Sequence, residues 1–386
     1  MNTSPPTIGR QREYDAIVVG ARAAGASTAM LLARAGRRVL LVDRAAHGSD
    51  TLSTHALLRG GVIQLQRFGL LDEVRAAGTP AIRRTVFHYG EDTIDRIISD
   101  RDGIDALYAP RRTVLDAILA DAASEAGAEV VYGVRIDDVR RDARGSVVGI
   151  TADGAVAHAP IVVGADGISS TVARLVDAPD EHVRHEAGAY VYGYFDGLPD
   201  ADTYHWFFRP GASAGVIPTN GGVANVFVGS TQKRFAQAAR HRGIEAHFAE
   251  VLADAAPEVA AALRGKGPVA RFRSFPGRPS HLRRAYGSGW ALVGDAGYFL
   301  DPFGAHGISD ALRDAELLAE AIIAGDLAAY QATRDLLSRR FMDVTAEVAT
   351  HTWSISEVMA LHLEMKDAME AELTHLASAA TLAHSS

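Results

Sequence analysis

Cysteine is absent from this 386-residue chain, and lysine is nearly so. The absence of cysteine excludes disulfide bonds, thiolate metal ligands and a cysteine nucleophile. The basic residues are arginines except for Lys233, Lys266 and Lys366. No apolar run approaches the roughly 18 residues that a transmembrane helix needs, and the first residues lack the apolar core of a signal peptide. We therefore expect a cytoplasmic protein with no membrane span.

An excess of positive charge is also lacking. The formal net charge is −8 at pH 7, which argues against a general nucleic-acid surface. The apolar share of 48% and the charged share of 22% are ordinary for a globular protein. At this length the chain is expected to form two domains with substantial cores and to bind no nucleic acid.

Residues 14–44, YDAIVVGARAAGASTAMLLARAGRRVLLVDR, have the pattern of a dinucleotide-binding unit. An apolar strand pattern precedes Gly20, a helical pattern follows Gly25, and a second strand pattern ends at Asp43. In such a unit the first glycine permits a tight turn, the last lets the helix approach the sheet, and the carboxylate accepts hydrogen bonds from a ribose. The free N–H groups at the helix start suit a pyrophosphate.

The middle glycine of this fingerprint is replaced by Arg22. That glycine normally lets the backbone approach the pyrophosphate, so the arginine must either turn aside or bind the phosphates as a cation. We predict a nucleotide site of a variant kind. The alternative is a packing turn in an ordinary α/β sheet.

Two further motifs also begin at strand ends. IVVGADGISSTVARLV (161–176) places Asp166 and Gly167 after a strand, where they either contact a cofactor or cap a helix. WALVGDAGYFLDPFGAHGISDALRDAELLAEAI (290–322) places Asp295 after a strand and then opens a long helix. A helix start offers free N–H groups and positive dipole. Two helix starts aimed at one ligand predict a long cofactor with negative charge at both ends.

With these three motifs in order, residues 14–325 resemble the flavoprotein aromatic hydroxylases of the para-hydroxybenzoate hydroxylase type. The resemblance implies an α/β fold, in which a glutathione reductase-like FAD-binding (Rossmann-type) domain is interleaved with an antiparallel β-sheet substrate domain and followed by C-terminal helices. The expected segments are 1–79, 101–180 and 276–326 for the FAD-binding domain, 80–100 and 181–275 for the substrate domain, and 327–386 for the helices.

The resemblance also implies non-covalent FAD and its contacts. Asp43 would bind the adenosine ribose, Asp295 the ribityl oxygens, and residues 302–308 the isoalloxazine. The implied FAD-binding residues are Gly20, Arg22, Ala24, Gly25, Asp43, Arg44, Arg112, Asp166, Gly167, Gly294, Asp295, Pro302, Gly304, His306, Gly307 and Ile308. The candidate catalytic residues are His306, Pro302 and His55, and no metal site is predicted. The chain departs from the family pattern at His306 and Ser309, which affects the pyrimidine side of the flavin.

Hydroxylation of an aromatic or other electron-rich small molecule is the implied reaction. NADPH or NADH would bind transiently and reduce the flavin, which fits the lack of a second glycine fingerprint. Reduced flavin would then react with O2, and the flavin C4a-hydroperoxide would transfer its hydroxyl group. The aromatic-rich segment 188–229 could form an apolar wall for the substrate, or its aromatic side chains could fill the core of their own sheet.

Several alternatives stay open. A geranylgeranyl reductase-like flavin-dependent reductase shares the region around Asp166, and a non-enzymatic flavin-binding protein would carry the same cofactor motifs. A flavin-dependent halogenase is disfavoured because it needs a lysine from the first half of the chain, and none precedes Lys233. The C-terminal helices either form a homodimer or cap the FAD-binding domain.

Overall fold

A computed structural model describes residue 8, residues 13–101 and residues 103–383, with side chains up to residue 377. Its strands are β1 (Ala16–Val19), β2 (Val39–Asp43), β3 (Arg84–Tyr89), β4 (Asp92–Ile97), β5 (Glu129–Tyr132), β6 (Ile136–Arg141), β7 (Val147–Ala152), β8 (Ala155–His158), β9 (Val162–Gly164), β10 (Asp180–Arg184), β11 (Gly188–Asp196), β12 (Thr203–Arg209), β13 (Ala212–Thr219), β14 (Val223–Thr231), β15 (Arg273–Phe275), β16 (Ser280–Arg283), β17 (Tyr286–Gly287), β18 (Trp290–Leu292) and β19 (Tyr298–Phe299). Its helices are α1 (Ala23–Arg34), α2 (Arg59–Arg67), α3 (Leu71–Ala76), α4 (Arg112–Glu125), α5 (Thr171–Leu175), α6 (Gln232–His241), α7 (Ile244–Ala255), α8 (Pro257–Ala262), α9 (Gly307–Ala324), α10 (Leu327–Ala349) and α11 (Ile355–Ala383).

A six-stranded sheet brings the three sequence motifs together. Its strand order is β17-β18-β9-β1-β2-β5, and all neighbours pair in parallel except β17 and β18. The strands that precede the motifs, β1, β9 and β18, are direct neighbours in this sheet. Because parallel strands end at the same edge, the turns that follow them meet there. Ligands of open α/β sheets bind at that edge.

A second sheet of seven strands has the order β15-β11-β14-β13-β12-β3-β4. It is antiparallel except where β3 pairs with β12 in parallel. Its β3–β4 hairpin turns at residues 89–92, where YGED between two alternating segments of the sequence predicts a turn. Strands from two separate parts of the chain therefore share one sheet, as an interleaved arrangement requires. The predicted fold class is confirmed, whereas the exact domain boundaries stay a prediction.

The two faces of the seven-stranded sheet pack against different partners. Side chains alternate between the faces of a strand, so Phe195 and Phe207 pack against α6–α8 in one core. Tyr192, Tyr194 and Trp206 belong instead to the larger core that includes α1, α2 and α9. The aromatic side chains therefore fill cores on both faces of this sheet, and a wall for the substrate stays a prediction.

The three-stranded sheet β6-β7-β8 includes β6, whose sequence carries only a weak strand signal. In β6 the sequence IDDVRR exposes four of six residues, so the apolar alternation that marks a strand is weak. The strand forms because its two buried side chains, Ile136 and Val139, join the core on the outer side of the six-stranded sheet.

The last two helices pack on the rest of the same chain. Helix α10 lies against α9, and α11 lies against α10 and α2. This is the capping arrangement, and homodimer formation stays a prediction. None of the helices in the described ranges combines the length and apolar character needed to cross a lipid bilayer.

Candidate functional site

The first fingerprint forms a tight turn between β1 and α1. Gly20 has φ of 107°, and a Cβ there would lie 2.3 Å from the carbonyl oxygen of Ala165. A Cβ on Gly25 would lie 1.8 Å from the carbonyl oxygen of Gly20. Asp43 reaches this turn, since its Oδ2 accepts the backbone N–H of Ala21 at 2.7 Å. The glycines are therefore required by close packing. The carboxylate stands beside the start of α1, and its contact with a ribose stays a prediction.

Arg22 points across the end of α1 towards α4. Its Nη1 donates to Oδ2 of Asp116 at 2.9 Å and to the carbonyl oxygen of Ser49 at 3.3 Å. Arg112 donates to the other oxygen of Asp116 at 2.9 Å. Arg22, Asp43 and Asp116 line a small cavity beyond the strand ends. The guanidinium of Arg22 is thus held by protein groups, and its contact with a phosphate stays a prediction.

The second motif is organised as a helix cap. Oδ1 of Asp166 accepts a hydrogen bond from Ser170 Oγ at 2.5 Å, and Oδ2 accepts the backbone N–H groups of Thr171 at 2.6 Å and Val172 at 3.2 Å. Burial raises the pKa of Asp166, and these hydrogen bonds oppose the change. The capping role that the sequence left open is therefore present. Any contact of Asp166 and Gly167 with a cofactor stays a prediction.

The third motif packs directly onto the first. Gly294 has φ of 60°, and a Cβ there would lie 2.7 Å from the Cβ of Ala24 in α1. The next residue, Asp295, is half-buried. Burial raises its pKa to about 6, against the opposing charge of Arg112. The motif therefore brings a second carboxylate to the same edge of the sheet as Asp43.

The loop within this motif, between β19 and α9, is hydrogen-bonded to the second sheet. The buried Asp301 accepts hydrogen bonds from the Tyr190 hydroxyl at 2.5 Å and from the Gly188 N–H at 2.9 Å. Residues Pro302–Gly304 then form a 3-10 turn. At the start of α9, a Cβ on Gly307 would have no neighbour within 4 Å. The first turn of α9 therefore has open space beside it. Pro302 and Ile308 are half-buried and Gly304 is buried.

His306 points into the protein, towards the last helix. Its Nε2 lies 2.7 Å from Oε2 of Glu372, and its ring packs on Phe341 at a centroid distance of 4.6 Å. Burial alone would lower the pKa of His306, but the carboxylates of Glu372 and Asp310 raise it above the ordinary value. The predicted role of His306 beside the flavin ring is not tested by this arrangement, in which its Nε2 is engaged by α11.

The carboxylates around His306 are shared with an arginine. Arg313 lies 2.7 Å from Asp310, 3.1 Å from Glu372 and 2.7 Å from Asp314. Ligand atoms of His306, Asp310 and Glu372 lie within 4.8 Å of one another, close enough to hold a metal ion. Arg313 already supplies a cation to these carboxylates, so the cluster is an ion-pair network.

His55 forms a buried pair with Tyr194. Its Nε2 makes a short hydrogen bond to the Tyr194 hydroxyl, and its backbone has φ of 70°. Burial lowers the pKa of His55 to about 3, and the charges of Arg112 and Arg111 act in the same direction. The guanidinium of Arg111 lies over the Tyr194 ring at 4.2 Å. The structure thus holds a neutral imidazole against a phenol, between the two sheets.

Buried polar groups with few partners lie on the same side of the second sheet. Asn225 is fully buried, and it pairs with Tyr194 on one side and Ile217 on the other, in register across the sheet. Burial raises the pKa of Tyr194, and the Asn225 amide acts on the Tyr194 hydroxyl to oppose this rise. The Tyr204 hydroxyl interacts with the backbone of Leu57, and the described residues provide no other hydrogen-bond partner for either group. This face therefore places polar groups among its aromatic rings.

Sequence reasoning missed Glu372 and Asn225. Glu372 lies 66 residues from His306 along the chain, and no motif marks it. Asn225 is a polar residue within the apolar run VANVFVG, and that local exception is a signal that could have singled it out.

The arrangement at the strand ends fits FAD. The starts of α1 and α9 offer free N–H groups for anionic parts of the cofactor, and Asp43 and Asp295 offer carboxylates for its hydroxyl groups. Ser309 Oγ and Arg111 Nε are buried atoms with no partner in the described ranges. These residues could hold the cofactor at the predicted place.

The family model described as "FAD binding domain" matches residues 13–343. FixC of Salmonella typhi is 34% identical over 170 residues, which cover 42% of this chain and 38% of FixC. The match thus spans about two fifths of that relative's length. Menaquinone reductase of Mycolicibacterium smegmatis is 29% identical over 334 residues, which cover 82% of this chain and 78% of that protein.

Solved structures share the fold over most of the chain. PqsL of Pseudomonas aeruginosa, in complex with 2-aminobenzoylacetate, has a TM-score of 0.79 at 24% identity and covers 93% of this chain and 100% of its own. The flavin-dependent brominase Bmp2 has a TM-score of 0.75 at 19% identity and covers 94% of this chain and 93% of its own. At these identities the likeness concerns the fold.

Proposed function

Because the chain belongs to the FAD-binding family of flavoproteins, we propose that it is an FAD-dependent monooxygenase that hydroxylates an aromatic small molecule with NAD(P)H and O2. Family membership confirms the predicted FAD cofactor and the predicted resemblance. The reductant, the substrate class and the reaction are the proposal.

The face of the second sheet that carries Tyr192, Tyr194 and Trp206 is the observation that carries this proposal. It packs in the same core as α1 and α9, the helices that begin at the edge where the three motifs meet. Its aromatic rings supply a flat apolar wall, and the Tyr194 hydroxyl with Asn225 supplies polar contacts. Ligand sites combine apolar lining with a few placed polar groups in this way. An aromatic substrate with a hydroxyl or carbonyl group suits this face.

Each part of the site then has a role. Bound FAD supplies electron transfer from the nicotinamide and the activation of O2. Asp43 and Asp295 would hold its hydroxyl groups, and the free N–H groups at the start of α9 would stabilise negative charge on the flavin. His55 is neutral, so its Nε2 can accept the hydrogen bond that the Tyr194 hydroxyl donates. This contact orients the Tyr194 hydroxyl, whose oxygen can accept a hydrogen bond from a substrate hydroxyl. Catalytic groups of this kind must lie within hydrogen-bond reach of each other, and this pair does.

A flavin-dependent reductase is the second candidate. It is favoured by the menaquinone reductase match, which spans 82% of this chain. Reduction of a carbon–carbon double bond would consume a hydride from the reduced flavin and a proton from a protein group or water, and it would require no O2. The two functions therefore give different products from the same cofactor.

Aerobic oxidation of NADH and NADPH by the FAD-loaded protein tests the proposal, with phenols, aminobenzoyl compounds and quinones added one at a time. We expect one aromatic compound to accelerate nicotinamide oxidation and to consume O2. Acceleration by a quinone or an isoprenoid, equally fast without O2, would favour the reductase. A protein that binds FAD and oxidises neither nucleotide with any compound would contradict both.

A further inference from the structure

The loop between β19 and α9 is attached to the rest of the protein at both of its ends. At its start, Asp301 is bonded to Tyr190 and Gly188 of β11. At its end, Nε2 of His306 is hydrogen-bonded to Oε2 of Glu372 in α11 at 2.7 Å. The loop that lies between them carries the 3-10 turn Pro302–Gly304. Two different parts of the chain therefore fix its position.

The loop needs such attachment because its backbone is strained. Ala305 has φ of 49°, in the left-handed region that residues other than glycine, asparagine and aspartate rarely adopt. Conformations of this kind persist only where the surroundings determine them. His306 immediately follows this residue, so its bond to Glu372 acts directly on the strained turn.

Glu372 is itself held firmly. The carboxylate is 3% exposed, and its Oε1 accepts a hydrogen bond from Arg313 at 3.1 Å. Arg313 is fixed in turn by Asp314 and by Ser338 Oγ at 2.9 Å. The carboxylate therefore has a defined place below the first turn of α9, set by groups from α9, α10 and α11.

We propose that Glu372 is a positioning residue of the flavin site, so that the last helix is part of that site. By holding His306, it keeps the loop 301–307 in the shape that receives the isoalloxazine. The inference rests on the placement of FAD at this loop, and it does not depend on which reaction the flavin performs.

Helix α11 offers a matched control. Glu370 lies two residues before Glu372 and also pairs with an arginine, Arg101, at 2.7 Å. That ion pair is exposed, and Glu370 makes no contact with the loop 301–307 among the interactions of the described residues. Exposed pairs contribute little to stability. Glu370→Ala therefore removes an equal charge from the same helix without touching the loop.

The experiment measures FAD binding to the full-length apoprotein, together with the long-wavelength absorption band of the bound flavin. Glu372→Ala should weaken FAD binding at least about tenfold and change the shape of this band, because the ring environment shifts. Glu370→Ala should stay within about twofold of the parent. In a His306→Gln background, Glu372→Ala should cause a much smaller further loss of FAD affinity, because the effects of two coupled residues are not additive.

The proposal is overturned if Glu372→Ala and Glu370→Ala bind FAD alike with the same absorption band. It is also overturned if Glu372→Ala has its full effect in the His306→Gln background, because the carboxylate would then act independently of that side chain. If Glu372→Ala does not fold, Glu372→Gln carries the same comparison with a smaller expected change. The readout contains no substrate or reductant, so failure of the monooxygenase assignment leaves it unaffected.

Discussion

His55, in the loop before α2, and Tyr194 of the second sheet are joined by a short hydrogen bond. The histidine is 1% exposed and adopts a left-handed backbone conformation, which costs energy in a residue of this type. The pair is therefore maintained by its surroundings, at the place where the proposed substrate would meet the flavin.

Replacement of this pair should reduce turnover while FAD binding survives. We expect Tyr194→Phe and His55→Asn to lower kcat about a hundredfold, which is the scale of the loss when a substrate is no longer held in its reactive position. Asparagine tolerates the left-handed backbone of His55. Tyr192→Phe, on the same strand and face, is the control and should retain most activity. Steady-state kinetics with a confirmed substrate measure the effect, and equal losses in all three variants would contradict the role.

Loss of the Asp295 carboxylate should weaken cofactor binding. Removal of an acceptor for hydroxyl groups costs about 1.5–3 kcal/mol, so Asp295→Ala should raise the FAD dissociation constant tenfold to a hundredfold. Asp43→Ala should weaken FAD binding by as much, and it also removes the hydrogen-bond acceptor of the Ala21 N–H. Titration of apoprotein by flavin fluorescence gives the values. Asp137→Ala, at an exposed position of β6, is the control and should bind FAD as the parent does. Unchanged FAD affinity in both site variants would place FAD elsewhere.

The Arg22–Asp116 pair makes a prediction about the unusual fingerprint. Arg22→Ala should weaken FAD binding by about 1–3 kcal/mol, and added salt should narrow its gap from the parent. Asp116→Ala should also weaken FAD binding. Because the two side chains form one ion pair, the double variant should lose less binding free energy than the sum of the two single losses. Tighter FAD binding by Arg22→Gly than by the parent would contradict a positive role for the arginine.

The buried His351 should make the folded protein less stable in acid. Burial lowers its pKa to about 4, below the ordinary value of 6.5. The unfolded chain therefore binds a proton that the folded state does not, and the free energy of unfolding falls as pH drops below 6.5. His351→Asn should reduce this fall by about 2 kcal/mol between pH 7 and pH 5. Urea unfolding at both pH values measures it. The exposed His185→Asn should behave as the parent, and an unaltered pH dependence in His351→Asn would refute the assignment.

The sequence predicts the features that depend on local pattern. Gly20, Gly25 and Asp43 lie within one short unit whose strand, turn and helix each have their own signal, and all three meet as expected. The edge shared by the three motifs follows from parallel pairing of the strands before them. The hairpin at 89–92 is equally local.

Contacts between distant segments could not be predicted in this way. Arg22 meets Asp116 and His306 meets Glu372 because α4 and α11 pack where they do. Nothing near either residue in the sequence encodes its partner. The direction of His306 also depends on the attachment of the loop to α11, so the motif alone gives its position along the chain and not where its imidazole points.

The fate of oxygen distinguishes hydroxylation from reduction. The aromatic compound that most accelerates nicotinamide oxidation is incubated with the FAD-loaded protein and isotopically heavy O2, and the product is analysed by mass spectrometry. We expect a product that carries one heavy oxygen atom in a new hydroxyl group, and loss of that product in Tyr194→Phe. A product that has gained two hydrogen atoms and no heavy oxygen would contradict the proposed hydroxylation.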